Sequence, residues 1–264
     1  MAVATARRPI LALAAVTYLL MVAVNVLANA LPINGVRTGD VSDAYPNLFA
    51  PAGYTFSIWG LIYLLLGLHL LHRFGLFQGG PAGTDQSPVL DRVGLYFSIS
   101  SVANAAWILA WHHDAIELSV VLMLVILVCL AAITRLLAGA QLAGREKLLV
   151  AVPFSVYFGW ITVATVANVI VLLVSLGSNG FGPAEPSWTI AMVVAAAVVG
   201  TLVMLRNRDV AYGLVLLWAY TGILAKHLSA SGFDAGYPSI VGTVIACLAV
   251  FVTATAVLIF RRGR

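Results

Sequence analysis

Phe56, Trp59 and Tyr63 are separated by three and four residues; Ser100, Asn104, Trp107 and Trp111 by four, three and four; Tyr157, Trp160, Ala164 and Asn168 by three, four and four. Such intervals keep side chains on one side of a helix. Rings beside a few amides suit non-covalent chemistry: stacking on a flat apolar ligand, with hydrogen bonds to orient it. The same residues have an ordinary structural use, the rings as interfacial belts and the amides as glue between helices. An amide turned to lipid would leave polar groups unsatisfied at about 1–3 kcal/mol each, so Asn104 and Asn168 must face neighbouring helices or a cavity.

Other chemistries find fewer parts. His112, His113, Asp114 and Glu117 cluster in sequence, but a metal site needs three or four converging ligands, and adjacent loop histidines are usually solvated. His69 and His72 lie three residues apart with no third ligand nearby in sequence, so no metal is expected. Cys129 and Cys247 lack CxxC spacing and read as packing residues. No G-x-S-x-G, H-E-x-x-H or P-loop is present. Without a catalytic constellation, the chain reads as a binding protein and not an enzyme.

The elements that position these residues follow from where charge is missing. Asp, Glu, Lys and Arg are absent from the interiors of eight runs: Pro9 to Ala30, Gly53 to Leu71, Val93 to Trp111, Leu118 to Thr134, Leu148 to Val174, Ser187 to Leu205, Val210 to Ala225 and Tyr237 to Phe260. Each is about 16 to 27 residues, near the roughly 20 that a helix needs to cross a bilayer. With 62% hydrophobic and 9% charged residues, the chain lies outside the range of soluble domains. The runs do not alternate in polarity, which excludes a β-barrel, and only helices satisfy their own backbones in lipid. The fold class is therefore all-α integral membrane, with about eight transmembrane helices.

The net charge of +4 sorts by side. With a cytoplasmic N-terminus, twelve of the fourteen basic residues fall inside, and only Arg37 and Lys226 fall outside. That is a positive-inside signal in a lipid bilayer, and no nucleic-acid partner is implied. Lys226 reads as a snorkelling interfacial lysine, and Asp40 and Asp43 as turn caps. Arg7 and Arg8 precede a first span too long for a signal peptide, so that helix is read as retained, starting at Pro9. Pro51 opens the second helix after a long outer loop, and the tight turn from His112 to Glu117 makes the third and fourth helices antiparallel neighbours. The segment from Gly177 to Pro186 divides residues 1–176 from a three-helix extension, 177–264. Small residues on the sixth helix, Ala195, Ala196, Ala197 and Gly200, would permit a homodimer.

The run PAGYTFSIWGLIY, Pro51 to Tyr63, resembles the loop-to-helix signature of the TspO/translocator family, also called tryptophan-rich sensory proteins or peripheral benzodiazepine receptors. Trp59 and Tyr63 match its Trp-x3-Tyr, and Asn104 and Trp107 its Asn-x2-Trp. WITVATVAN, Trp160 to Asn168, matches its fifth-helix pattern. The likeness covers roughly residues 9 to 176. Ala52 and Ser100 depart from it, standing where the family has proline and glutamine.

This resemblance implies a five-helix bundle with an internal pocket for porphyrin-, sterol- or isoprenoid-like rings, closed by the loop before Pro51. Trp59, Tyr63, Asn104, Trp107, Tyr157, Trp160, Ala164 and Asn168 are the ligand-binding candidates, with Pro51 in the gating loop. No cofactor is implied, and a tetrapyrrole would enter as ligand. The expected partner is a hydrophobic small molecule, in a protein of a bacterial-type inner membrane with both termini cytoplasmic. A facilitator or exporter of small lipophilic compounds is the alternative, followed by a membrane enzyme acting on a porphyrin or isoprenoid.

Overall fold

The computed structural model describes the backbone of residues 2–31, 33–76, 88–140, 142, 144–177 and 185–262, and side chains within 9–261. Most of the loops from Phe74 to Val89 and from Gly177 to Pro186, and Pro32 with them, lie outside these residues. Eight long helices follow in order: α1 (Ala2–Ala30), α2 (Ile58–Arg73), α3 (Pro88–His112), α4 (Ile116–Ala138), α5 (Val152–Ser175), α6 (Glu185–Asn207), α7 (Val210–Leu228) and α8 (Pro238–Arg262). The described residues hold no strand. Among the described residues, seven helical stretches are long and apolar enough to cross a membrane. The remaining helix, α7, spans about 28 Å at 1.5 Å per residue, and its polar side chains have partners. Tyr220 Oη donates to the Val193 carbonyl at 2.7 Å, Tyr212 Oη to Thr162 Oγ1 at 3.0 Å and Trp218 Nε1 to the Thr55 carbonyl at 3.0 Å. The chain is an all-α, multi-pass integral membrane protein.

Two starts differ from the sequence expectation. α1 begins at Ala2, which leaves Pro9 inside the helix. Gly53–Ser57 forms a 3-10 turn, so Pro51 does not open α2, which begins at Ile58. The reason is local: Ala52 sits at φ −59, ψ 143, outside the helical region, and the Thr55 amide bonds back to its carbonyl at 2.9 Å.

The chain divides into two compact units, each described on its own. The first comprises Met1–Arg37 and Trp59–Phe158. α3 is its central element, packed on α1 and α4 and 61% buried across its span, against 22% for α1. α3 and α4 are antiparallel neighbours joined by a turn in which Asp114 takes φ 55. Gly67 lets Tyr18 of α1 lie against α2: a Cβ there would stand 2.7 Å from the Tyr18 hydroxyl, which donates to the Tyr63 carbonyl at 2.8 Å.

His69 illustrates how this unit satisfies a broken helix. Pro153 has no N–H, so the α-helical donor to the carbonyl four residues earlier, at Leu149, is missing. The backbone widens there into a π turn over Lys147–Ala151. His69 Nδ1 lies 3.0 Å from that carbonyl, and because a carbonyl only accepts, Nδ1 carries the hydrogen. Phe154, at 4.9 Å between ring centroids, and Phe97, at 6.3 Å, hold the ring edge-on. His69→Leu should therefore cost about 1–3 kcal/mol by orphaning the carbonyl. Adding Pro153→Ala should recover most of the loss by restoring the helical N–H. Thermal unfolding of the two variants in detergent checks this.

The second unit comprises Thr38–Ile58 and Gly159–Arg264. α8 packs on α6 and α7. Gly200 of α6 meets Leu216 of α7, so this small residue serves a contact inside the unit. Gly222 of α7 packs against Thr55, and its carbonyl accepts the Ala52 amide at 3.0 Å. Lys226 is paired and not merely snorkelling: its ammonium lies 2.9 Å from Asp43. That pair is largely exposed at the Asp43 end and contributes at most about 1 kcal/mol.

Candidate functional site: a nest of rings and amides

In the first unit, Trp59 at the start of α2 stacks on Tyr63 one turn later, with centroids 5.6 Å apart and planes 21° apart. The same indole meets Trp107 of α3 at 5.9 Å and Tyr157 of α5 edge-on at 5.9 Å. Trp107 in turn stacks on Trp111 at 5.8 Å. Six of the residues singled out by their spacing are brought together: Trp59, Tyr63, Trp107, Trp111 and Tyr157 by their rings, and Asn104 through its bond to Tyr157.

A directed hydrogen-bond chain runs beside the rings. Asn25 Nδ2 donates to Asn104 Oδ1 at 2.8 Å and to the Met21 carbonyl at 2.9 Å. Asn104 Nδ2 donates to the Tyr157 hydroxyl at 2.9 Å. Asn104 and Tyr157 are 0% exposed and Asn25 is 4% exposed, so the chain runs through low dielectric, where each bond is strong and each loss costly. Tyr157 accepts from Asn104 and keeps its own O–H proton to give. The Tyr63 hydroxyl is buried and has no hydrogen-bond partner among the described residues. Two phenols therefore stand ready to donate within one ring cluster.

Asn25 and Tyr18 are absent from the sequence-derived candidates. The signal was present: an amide and a phenol seven residues apart on a charge-free helix, the same spacing logic that singled out Asn104.

The other candidates lie in the second unit. Trp160 is buried and meets Phe56 edge-on at 5.9 Å, and the ring of Phe56 projects from the 3-10 turn and not from α2. Asn168 is buried and Ala164 half-buried. Pro51 is buried next to Ala52, whose amide is held by Gly222. A groove of about 420 Å³ opens elsewhere on the first unit, lined by Leu13, Thr17, Ser98, Val102 and Ala106, away from the nest's rings. Among the described residues, no three His, Cys, Asp or Glu side chains come together. His112 Nδ1 instead lies 3.2 Å from the Ile33 carbonyl, and Asn34 Nδ2 donates back to the His112 carbonyl at 3.1 Å.

Long apolar helices almost without charge, with a buried cluster of indoles, phenols and amides inside the first unit, define a polytopic membrane protein. The chain belongs to the family described as TSPO-like protein, whose model matches residues 11–258. That match takes in α6, α7 and nearly all of α8, beyond the stretch that carries the sequence motifs. No curated protein and no solved structure matches the chain.

Proposed function

We propose that this protein is a membrane-embedded binding or sensory protein that holds a bulky apolar ring ligand, porphyrin-, sterol- or isoprenoid-like, against the nest of the first unit. The observation that carries the reading is Trp59 in contact with Tyr63, Trp107 and Tyr157 beside the Asn25–Asn104–Tyr157 chain. Aromatic contacts contribute about 0.5–1.5 kcal/mol each beyond area burial, so several rings support micromolar affinity. Because the rings touch one another, a ligand enters by parting them. The phenols of Tyr63 and Tyr157 would then find an acceptor, such as a ketone or carboxylate, on the ligand's edge. The role is binding and not catalysis.

Within the second unit, Trp160, Ala164 and Asn168 stand as ligand-contact candidates on the family resemblance alone, with Pro51 in the gating loop. The positive-inside distribution supports an inner-membrane orientation with both termini cytoplasmic. Titration with protoporphyrin tests the reading through tryptophan fluorescence in detergent. Saturable quenching that weakens in a Trp59→Ala, Trp107→Ala double variant supports it. Identical curves for the variant and the wild type sink it.

A further inference from the structure

Within the second unit, the segment from Asp43 to Ser57 is fastened to α7 at four points. Asp43 pairs with Lys226 at 2.9 Å. His227 Nε2 bonds the Leu48 carbonyl at 2.9 Å. The Ala52 amide donates to Gly222 and Trp218 Nε1 donates to Thr55, both at 3.0 Å. All four fastenings fall on α7.

One of the four fastenings is chemically unlike the rest. A carbonyl only accepts, so His227 Nε2 carries the hydrogen, and the neutral ring keeps Nδ1 bare. Nδ1 is buried and has no hydrogen-bond partner among the described residues. Phe233, at 4.7 Å, and Tyr237, at 6.0 Å, cover the ring, and the residue is fully buried. The titratable and charged groups on the elements around it are few. Lys226, Tyr220 and Tyr212 share its helix, Asp40, Asp43, Tyr45 and Tyr54 lie on the segment and the short helix before it, and Asp234 and Tyr237 on the turn after α7. Lys226 and Asp43 are engaged with each other. A proton at Nδ1 would create a buried N–H with no acceptor among the described residues and a second cation beside Lys226.

We propose that His227 is a proton-operated latch: neutral, it holds the segment at Leu48, and protonated, it lets the segment lift from α7. The open form binds the proton more readily than the closed one. The latch therefore holds above the ordinary histidine range, near about pH 6.5, and is lost as pH falls. Asn47, Leu48 and Phe49 also roof a cavity of about 20 Å³ lined by Glu185, Trp188 and Thr189, so release uncovers a chamber with room for one water. This inference is independent of any ring ligand.

The test places spin labels at Ala44→Cys and Ala230→Cys, both exposed, in the full chain with Cys129 and Cys247 replaced by alanine. The label-to-label distance is measured in lipid nanodiscs at about pH 7.5 and about pH 5, on either side of the imidazole range. With His227 present, one short distance at the higher pH should gain a longer population at the lower. His227→Gln keeps an N–H donor and cannot titrate, so it should stay short at both. His227→Ala should show the longer population at both. Lys226→Ala should keep the pH response. An unchanged distance with His227 present, an equal shift in His227→Gln, or a response abolished by Lys226→Ala overturns the latch. If His227→Ala does not fold, the comparison of His227 with His227→Gln decides alone.

Discussion

Trp59→Ala is expected to weaken binding of an apolar ring ligand by up to about tenfold, because it removes the indole face on which the ligand would stack, a contact worth about 0.5–1.5 kcal/mol. The indole meets the rings of Tyr63, Trp107 and Tyr157. Its loss also leaves a hole. In soluble cores, Trp→Ala costs about 3–5 kcal/mol. Lipid supplies no hydrophobic drive between helices, so the lower end of that range applies, about 3 kcal/mol. Affinity and stability should therefore fall together in Trp59→Ala. Trp218→Phe, outside the nest, should lose its bond to Thr55 and leave ring binding unchanged. Parallel measurement of quenching and thermal unfolding separates the two effects.

Asn104→Leu should cost about 2–4 kcal/mol, because it orphans two buried groups at about 1–3 kcal/mol each. Those groups are the Asn25 amide that donates to Asn104 and the Tyr157 hydroxyl that accepts from it. Asn25 retains its bond to Met21, which softens one side of the loss. The double variant Asn25→Leu, Asn104→Leu should lose less than the two single variants summed, since removing both partners leaves one orphan, at Tyr157. Additive losses in denaturant unfolding would show that the two amides do not act as a pair.

The eight helices were legible because membrane spans announce themselves by excluding charge, and that pattern survives in a single sequence. The ring stripes on α2 and α3 were legible for a related reason: amides and indoles at helical spacing cannot face lipid cheaply. α7 sits at the edge of that signal, because Tyr212, Trp218 and Tyr220 lower its hydropathy while bonding inside the unit. The 3-10 turn before α2 was not legible, since nothing in Gly53–Ser57 excludes an ordinary first helical turn. Neither were the fastenings of Lys226 to Asp43 and His227 to Leu48, which join residues 183 and 179 apart. The partner of His69 was not legible either, since its bond to the Leu149 carbonyl depends on the missing N–H of Pro153, 84 residues away.

The central claim, that the nest of Trp59, Tyr63, Trp107 and Tyr157 holds a ring ligand, is tested most directly by photolabelling. A diazirine-bearing porphyrin would be crosslinked to the protein in nanodiscs and the adducts mapped by mass spectrometry, with unmodified porphyrin as competitor. Competed adducts on these α2, α3 and α5 residues are the predicted result. Adducts confined to the Leu13, Thr17 and Ser98 groove, or adducts that excess porphyrin does not reduce, would contradict it.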